Sequence, residues 1–251
     1  MPSIQELKDI RIKKLELLKS KGINPYKTES FREISIDSVI SDFSNLENSK
    51  KEMWISGRVM SIRGQGAIIF LTLNDGTGSF QVLFKKDEIE EEKLTLFTDT
   101  VDIGDFIEVQ GFFFTTNRGE KTIQAKDWCI LTKALLPLPE KWHGLTDTEE
   151  RYRKRYLEIL TDLDVRDRFV LRSKIIKEIR KFFDDLGFLE IETPILKNNA
   201  GGAMAEPFVT HHNALDRDFY LRISLELPLK KMLVASYEKV FEIGRIFRNE
   251  G

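Results

Sequence analysis

The sequence predicts a helix-led, five-stranded β-barrel followed by an α+β domain. Three observations carry this. Residues 52–132 contain five β-rich runs, with a charged, helical stretch between the third and fourth. A proline-marked segment then breaks the pattern. Beyond it, apolar residues recur at helical spacing from Val165 onward.

Bulk composition limits the function classes. Across 251 residues, 41% are hydrophobic and 18 are phenylalanine, enough for substantial cores. The 39 basic and 41 acidic residues leave a net charge of −2. Any nucleic-acid role must therefore rest on local patches rather than global charge. A single cysteine, Cys129, excludes a disulfide framework and fits a reducing cytoplasm. No apolar run approaches the roughly 18 residues of a membrane span. Glu6, Asp9 and Glu16 argue against an N-terminal targeting peptide. The expectation is a cytoplasmic protein with no membrane partner.

Residues 3–21 predict a helix, with Ser3 as N-cap and Gly22 as its stop. Its basic residues (Lys8, Arg11, Lys13, Lys14, Lys19, Lys21) read better as a solvated face than as a phosphate-binding one. Residues 23–50 read as polar and irregular. The runs "MWISGRVMSIR", "AIIFLTL" and "SFQVLF" follow, the last two joined by the turn cluster "NDGTG". After a charged helix near Asp87–Leu96 come "DFIEVQGFFFTT" and "KTIQAKDWCIL". That order matches the OB-fold, whose exposed strand face binds oligonucleotides through stacked aromatics and basic groups. Arg58, Arg63, Phe70 and Gln81 are the candidates for that face, with Phe70 equally readable as core.

Pro137, Pro139 and Gly144 mark residues 133–150 as a linker. A long helix over about 165–186 presents Phe169, Ile176, Ile179, Phe183 and Leu186 as a packing stripe, and Gly187 stops it. "FLEIETPIL" reads as a strand ended by Pro194, "FVTHHNA" and "FYLRIS" as paired strands, and about 226–236 as a short helix. "VFEIGRIFRNEG" reads as a buried final strand.

Few residues look chemical. His211 and His212 are adjacent, so on a strand they face opposite ways. With His143 and Cys129 the only further imidazole and thiol, a zinc site is disfavoured. The "GQG" (64–66) and "GTG" (76–78) glycines lie among strands and read as turns, not phosphate loops. Arg248 and Glu250 remain: an arginine fork for anionic oxygens and a carboxylate two residues on. Spacing alone makes this a weak signal.

Longer stretches are more specific. "LTKALLPLPEKWHGLTDTEERYRKRYLEIL", "GFLEIETPIL", "GGAMAEPFVTHHNALDRDFYLRIS" and "VFEIGRIFRNEG" resemble, in order and spacing, the class II lysyl-tRNA synthetases of bacterial type. The resemblance extends over the whole chain. It implies a helical extension (1–50), an OB-fold anticodon-binding domain (51–132), a linker (133–150) and part of a class II catalytic domain with an antiparallel sheet (151–251). "GFLEIETPIL", with Pro194, matches motif 1, the family's dimer interface, and "FRNEG" matches the opening of motif 2.

The resemblance also implies roles. Arg248 contacts the ATP α-phosphate and the lysine carboxylate as the catalytic arginine, and Glu250 holds the adenine side of ATP. Gly202 and Glu226 receive the α-amino group of lysine; Arg63, Phe70 and Gln81 read the anticodon. The implied partners are tRNA(Lys), L-lysine, ATP as substrate and a second copy of the chain. Mg2+ is expected for the complete enzyme, with ligands beyond residue 251. On this reading the chain is an N-terminal fragment that does not aminoacylate alone. One departure stands out: "SLELPLKK" puts Leu225 where the family has proline and Pro228 inside the following helix. The alternatives are a class II synthetase of the aspartyl/asparaginyl group and a non-catalytic OB-fold RNA-binding module.

Overall fold

The fold is described from a computed structural model in which residues 3–64, 67–139, 147–199 and 201–250 are the described residues. Gln65 and Gly66 of the first glycine pair, His143, Gly144 and Gly251 lie outside them. The chain divides into two compact units, Met1–Thr148 and Glu149–Gly251.

In the first unit, helix α1 (Ile4–Ser20) begins in a capping box: the Ser3 hydroxyl accepts from the Glu6 amide, and the Glu6 carboxylate accepts from the Ser3 amide. Both contacts satisfy amides that a helix start leaves unbonded. The reading of its basic residues as a solvated face needs correcting at one position. Arg11 is buried, and its guanidinium donates to the carbonyls of Ile103, Ala134 and Leu136 at 3.0–3.1 Å. Residues 23–50 are also more ordered than expected, containing α2 (Ile36–Ser41) and α3 (Phe43–Ser49). Ile36, Val39 and Phe43 from these helices are buried in the core, which short polar-looking helices conceal from a periodicity reading.

Strands β1 (Met53–Arg63), β2 (Ile68–Asn74) and β3 (Ser79–Lys85) precede α4 (Glu91–Thr100), and β4 (Phe106–Thr115) and β5 (Lys121–Thr132) follow. Their pairing runs in a closed ring, β1-β2-β3-β5-β4, with β3 and β5 parallel and the other neighbours antiparallel. Alternation decides which side chains fill it. On β2, Ile69, Leu71 and Leu73 are buried, while Phe70, Thr72 and Asn74 point outward. Phe43, Phe80 and Phe113 pack with ring centroids 5.8–6.3 Å apart, and α4 adds Phe97 against Phe84 at 4.5 Å. Replacing a fully buried ring such as Phe113 with alanine would cost about 3–5 kcal/mol.

The expected linker begins inside this unit. Lys133 is wholly buried and donates to Asp102 and Asp105 at 2.6 and 2.7 Å, and the Ala134 amide donates to Asp105 at 2.7 Å. Residues 140–146 of that segment are not described.

The second unit opens on α5 (Thr148–Arg153), α6 (Arg155–Thr161) and the long α7 (Leu163–Asp185), capped by the Asp162 carboxylate. Short strands β6 (Leu189–Glu190), β7 (Leu196–Lys197), β8 (Val209–His212) and β9 (Arg217–Leu221) lead to α8 (Glu226–Val234) and β10 (Val240–Phe241). Here the expected fold class is corrected. The strands do not form one antiparallel sheet: β7-β9-β8 make a three-stranded antiparallel sheet, and β10 pairs with β6 in a separate parallel one. Both "FLEIETPIL" and the final "strand" are strand for only a few residues.

The stripe on α7 is likewise only partly packed. Phe183 stacks on Phe241 at 4.7 Å, whereas Phe169, Ile179 and Leu186 are each more than 40% exposed. His211 faces Asp218 at 3.0 Å while His212 lies against Phe219, the opposite orientations that adjacent strand residues require. No described helix is long and apolar enough to cross a membrane.

Candidate functional site

The candidate residues fall into two groups, one in each unit.

In the first unit, Arg63 and Phe70 are register partners on β1 and β2, and Phe70 and Gln81 stand on neighbouring strands, opposite Leu83 and Thr72. All three line one groove of about 790 Å³, with Leu83, Phe114, Thr116, Asn117, Arg118 and Glu120. Phe70 is half-buried and outside the core cluster, so the core reading is set aside. The Gln81 amide donates to the Thr122 hydroxyl at 2.9 Å, which orients it on the strand face. The groove thus combines exposed guanidinium groups, two outward aromatic rings and an oriented amide. Rings stack on bases of any sequence, guanidinium groups neutralise phosphate, and an amide can discriminate a base edge.

Arg58 does not join them. Its guanidinium lies over the Phe106 ring at 4.3 Å and donates to the Gly104 carbonyl at 3.1 Å. Burial lowers its pKa. Phe114 and Arg118 were not selected from the sequence; only the β4–β5 hairpin brings them to the groove.

In the second unit, Gly202 has φ = +105°, and a Cβ there would come within 3.2–3.3 Å of Ser224. Its loop therefore lies against the turn that precedes Glu226, the first residue of α8. That turn is held from two sides: the Ser224 hydroxyl accepts from the Glu226 amide at 3.1 Å, and Lys197 donates to the Ser224 carbonyl at 3.1 Å. Glu226 is exposed, and one carboxylate oxygen accepts from Lys230, one turn along, at 2.6 Å. That hydrogen bond, with the lysine charge, keeps the Glu226 carboxyl below its usual range and hence ionised. The departure at Leu225 and Pro228 leaves the helix start in place. Pro228 falls in the first turn, where no intrahelical N–H bond is lost, and the Leu229 amide bonds to the Leu225 carbonyl at 3.1 Å.

Arg248 and Glu250 are exposed and lie on extended chain, not on a strand. Among the described residues no strand pairs with residues 242–250, and two of their amides are instead held singly. Phe247 donates to the Arg222 carbonyl at 2.9 Å, and Asn249 donates to the Glu206 carbonyl at 2.8 Å. These bonds tie the Arg248 segment to the Gly202–Glu206 loop and to the strand leading into Ser224 and Glu226. The elements carrying all four residues are therefore joined. They do not line the neighbouring cleft of about 880 Å³, which is bounded instead by residues such as Thr193, Lys197 and Lys231.

Among the described residues, no group of three or more His, Cys, Asp or Glu could hold a metal ion.

Comparison with known proteins gives this geometry a context. Residues 147–251 match the family model described as tRNA synthetases class II (D, K and N), and residues 53–131 match the OB-fold nucleic acid binding domain. The chain is 46% identical over 245 residues to a lysine–tRNA ligase of Dehalococcoides mccartyi (strain ATCC BAA-2266 / KCTC 15142 / 195), covering 96% of this chain and 49% of that protein. It is 48% identical over 249 residues to a lysine–tRNA ligase of Syntrophomonas wolfei, covering 99% and 50%. A lysine–tRNA ligase of Bacillus cereus (strain G9842) is 46% identical over 255 residues, covering 98% and 51%.

Over nearly its whole length the chain is similar to class II lysine–tRNA ligases. It spans about half the length of the curated relatives it matches. Within the matched synthetase region, sequence reasoning missed Arg222, whose buried guanidinium pairs with Glu242 and reaches the chain just before Arg248. A lone arginine in "LRIS" carries no spacing signal that would mark it.

Proposed function

We propose that this chain supplies the anticodon-binding barrel and part of the catalytic region of an ATP-dependent lysine–tRNA ligase. The observation that carries the reading is 46–48% identity to lysine–tRNA ligases over 96–99% of the chain. The aspartyl/asparaginyl reading is covered by the same family model but not by these relatives.

In this reaction the lysine carboxylate attacks the α-phosphorus of ATP and pyrophosphate leaves. The 3′ end of tRNA(Lys) then takes the lysyl group from the adenylate. No covalent bond to the protein is needed, so the protein's task is to clamp charge and align two anions. Arg248, exposed and always charged, bridges the α-phosphate and the lysine carboxylate, and Glu250 holds the adenine side. Glu226, ionised, receives the α-ammonium beside Gly202, where the absence of a Cβ leaves room. Arg63, Phe70 and Gln81 read the anticodon in the barrel groove. Magnesium chemistry belongs to residues other than those described.

A homodimer through the α7–β6 region is part of the same reading. The exposed apolar side chains there, including Phe182, Leu186 and Leu189, support it.

The test is ATP–pyrophosphate exchange by the full-length product of the source gene, with lysine, aspartate and asparagine supplied separately. Exchange driven by lysine alone is expected. Exchange driven by aspartate or asparagine would move the protein to the aspartyl/asparaginyl group, and none with any of them would leave the RNA-binding alternative.

A further inference from the structure

Arg222 directly follows β9 and is only 4% exposed. Its guanidinium makes bonds in three directions. Nη1 donates to the Glu242 carboxylate, to the Thr193 carbonyl at 2.9 Å and to the Thr193 hydroxyl at 3.1 Å; Nε donates to the Arg245 carbonyl at 2.8 Å. The other Glu242 oxygen accepts from the Thr193 hydroxyl at 2.7 Å, which closes a small ring. The Arg222 main chain takes part as well, accepting from Phe247 and donating to Ile195, both at 2.9 Å.

Gly244 shows how tightly this cluster is built. A Cβ there would lie 2.5 Å from Arg222 Nη2 and 2.7 Å from Glu242 Oε1. The chain turns over the ion pair with room for no side chain.

A buried ion pair is weak evidence for stability as such, because desolvation offsets most of the attraction. What this pair has instead is position. The Arg222 guanidinium fixes the carbonyl of Arg245, and the same residue's main-chain carbonyl holds the amide of Phe247, just before Arg248. Two residues in the other direction stands Ser224, which holds the start of Glu226's helix. We infer that Arg222, with Glu242, is a positioning residue that sets Arg248 relative to Glu226. This rests on the ligase reading for its kinetic consequence, though not for its structural one. Arg222 itself touches no substrate.

Two substitutions separate positioning from bulk stability. Arg222→Lys keeps a cation for Glu242 but cannot reach Thr193 and Arg245 together. Gly244→Ala leaves every partner chemically intact and wedges the pair apart.

Hydrogen exchange on the 251-residue chain reads the placement directly. Faster exchange of the Phe247 and Asn249 amides is expected in both variants, by about tenfold or more, with α7 amides unchanged. Unchanged exchange at 247–249 would overturn the inference, as would loss of protection throughout the second unit, which would make the pair a general fold element.

In the full-length product, kcat for lysine-dependent exchange should fall by about 10–100-fold, as expected of a catalytic group displaced by an ångström. KM for lysine should change by less than about threefold. Equal falls in kcat and affinity, or kcat within twofold of the parent, would refute the positioning role. If the parent itself shows no lysine-dependent exchange, the ligase reading has failed, and the exchange data on Phe247 and Asn249 still decide the structural claim.

Discussion

Arg63 on β1 and Phe70 on β2 stand directly opposite each other in the antiparallel ladder. Facing residues of such a pair project to the same side of the sheet. A fixed charge and an aromatic ring are thus presented together outside the barrel, over a strand that buries Ile69, Leu71 and Leu73 on its other side. The interior of β2 serves the fold while its exterior is free for a ligand.

That division makes Phe70→Ala a clean test of the groove. The ring lies outside the core cluster, so its removal should leave barrel stability within about 0.5 kcal/mol. Binding of a tRNA(Lys) anticodon stem-loop should weaken by about 1–3 kcal/mol, the worth of one stacked base. Fluorescence anisotropy of a labelled stem-loop, with a urea melt beside it, measures both. Unaltered affinity would remove Phe70 from the RNA face.

Cys129 offers a chemical probe of the same barrel. Its thiol donates to the Glu108 carboxylate at 2.7 Å, and Glu108 also accepts from the Ser30 hydroxyl and the Phe31 amide, both at 2.8 Å. Burial first, and then the neighbouring carboxylate, push the thiol's pKa up to about 12. Only the thiolate is nucleophilic. Ellman's reagent at pH 8 should therefore modify the folded chain at least about tenfold more slowly than the urea-unfolded chain, whose thiol has an ordinary pKa near 8.5. Equal rates would show that the thiol is not held protonated.

Asp75 makes stability of the first unit depend on pH. One oxygen accepts from the Thr77 amide and hydroxyl and the Gly78 amide, and the other from the Ile36 amide and Arg32, all at 2.6–3.1 Å. Burial works to raise its pKa, but the bonds from Ile36, Thr77 and Gly78 outweigh it and leave the pKa below the usual carboxylate value. With the folded pKa depressed, the contribution is fully present above the unfolded value of about 3.9 and is lost as pH falls through the folded one. Asp75→Asn should lower the unfolding free energy by about 1–3 kcal/mol at pH 6. The gap from the parent should narrow toward pH 2. Urea melts at both pH values check this, and a gap independent of pH would refute it.

How much of this was legible beforehand depended on local signals. The Ser3 cap, the alternation of β2 and the turn at Asp75–Gly78 are written in adjacent residues, and structure follows them closely. Helices α2 and α3 were not legible because each is too short to show a period. The end of the chain misled for a different reason. "VFEIGRIF" has strand composition, but only Val240 and Phe241 find a partner strand, and a ladder is decided by the neighbour. Arg63, Phe70 and Gln81 could be chosen from the sequence, whereas Arg118 needed the hairpin to fold over them. Arg222 was invisible because its partners lie 20–29 residues away.

Arg248 is the residue on which the catalytic proposal turns. Its side chain is exposed, while the chain on both sides is pinned through the Phe247 and Asn249 amides. A charged group held this way needs little reorganisation when anionic oxygens arrive, which is the condition under which a fixed charge lowers a barrier. In the full-length gene product, Arg248→Ala should reduce lysine-dependent ATP–pyrophosphate exchange by at least about 100–1000-fold. Arg248→Lys should recover only part of the loss, because an ammonium cannot bond two oxygens in the planar, forked manner of a guanidinium. Anticodon stem-loop affinity should stay unchanged in both variants, since the groove belongs to the other compact unit. Retained exchange in Arg248→Ala would take the residue out of the chemistry, and a parallel loss of stem-loop binding would mean that the substitution had damaged the fold instead.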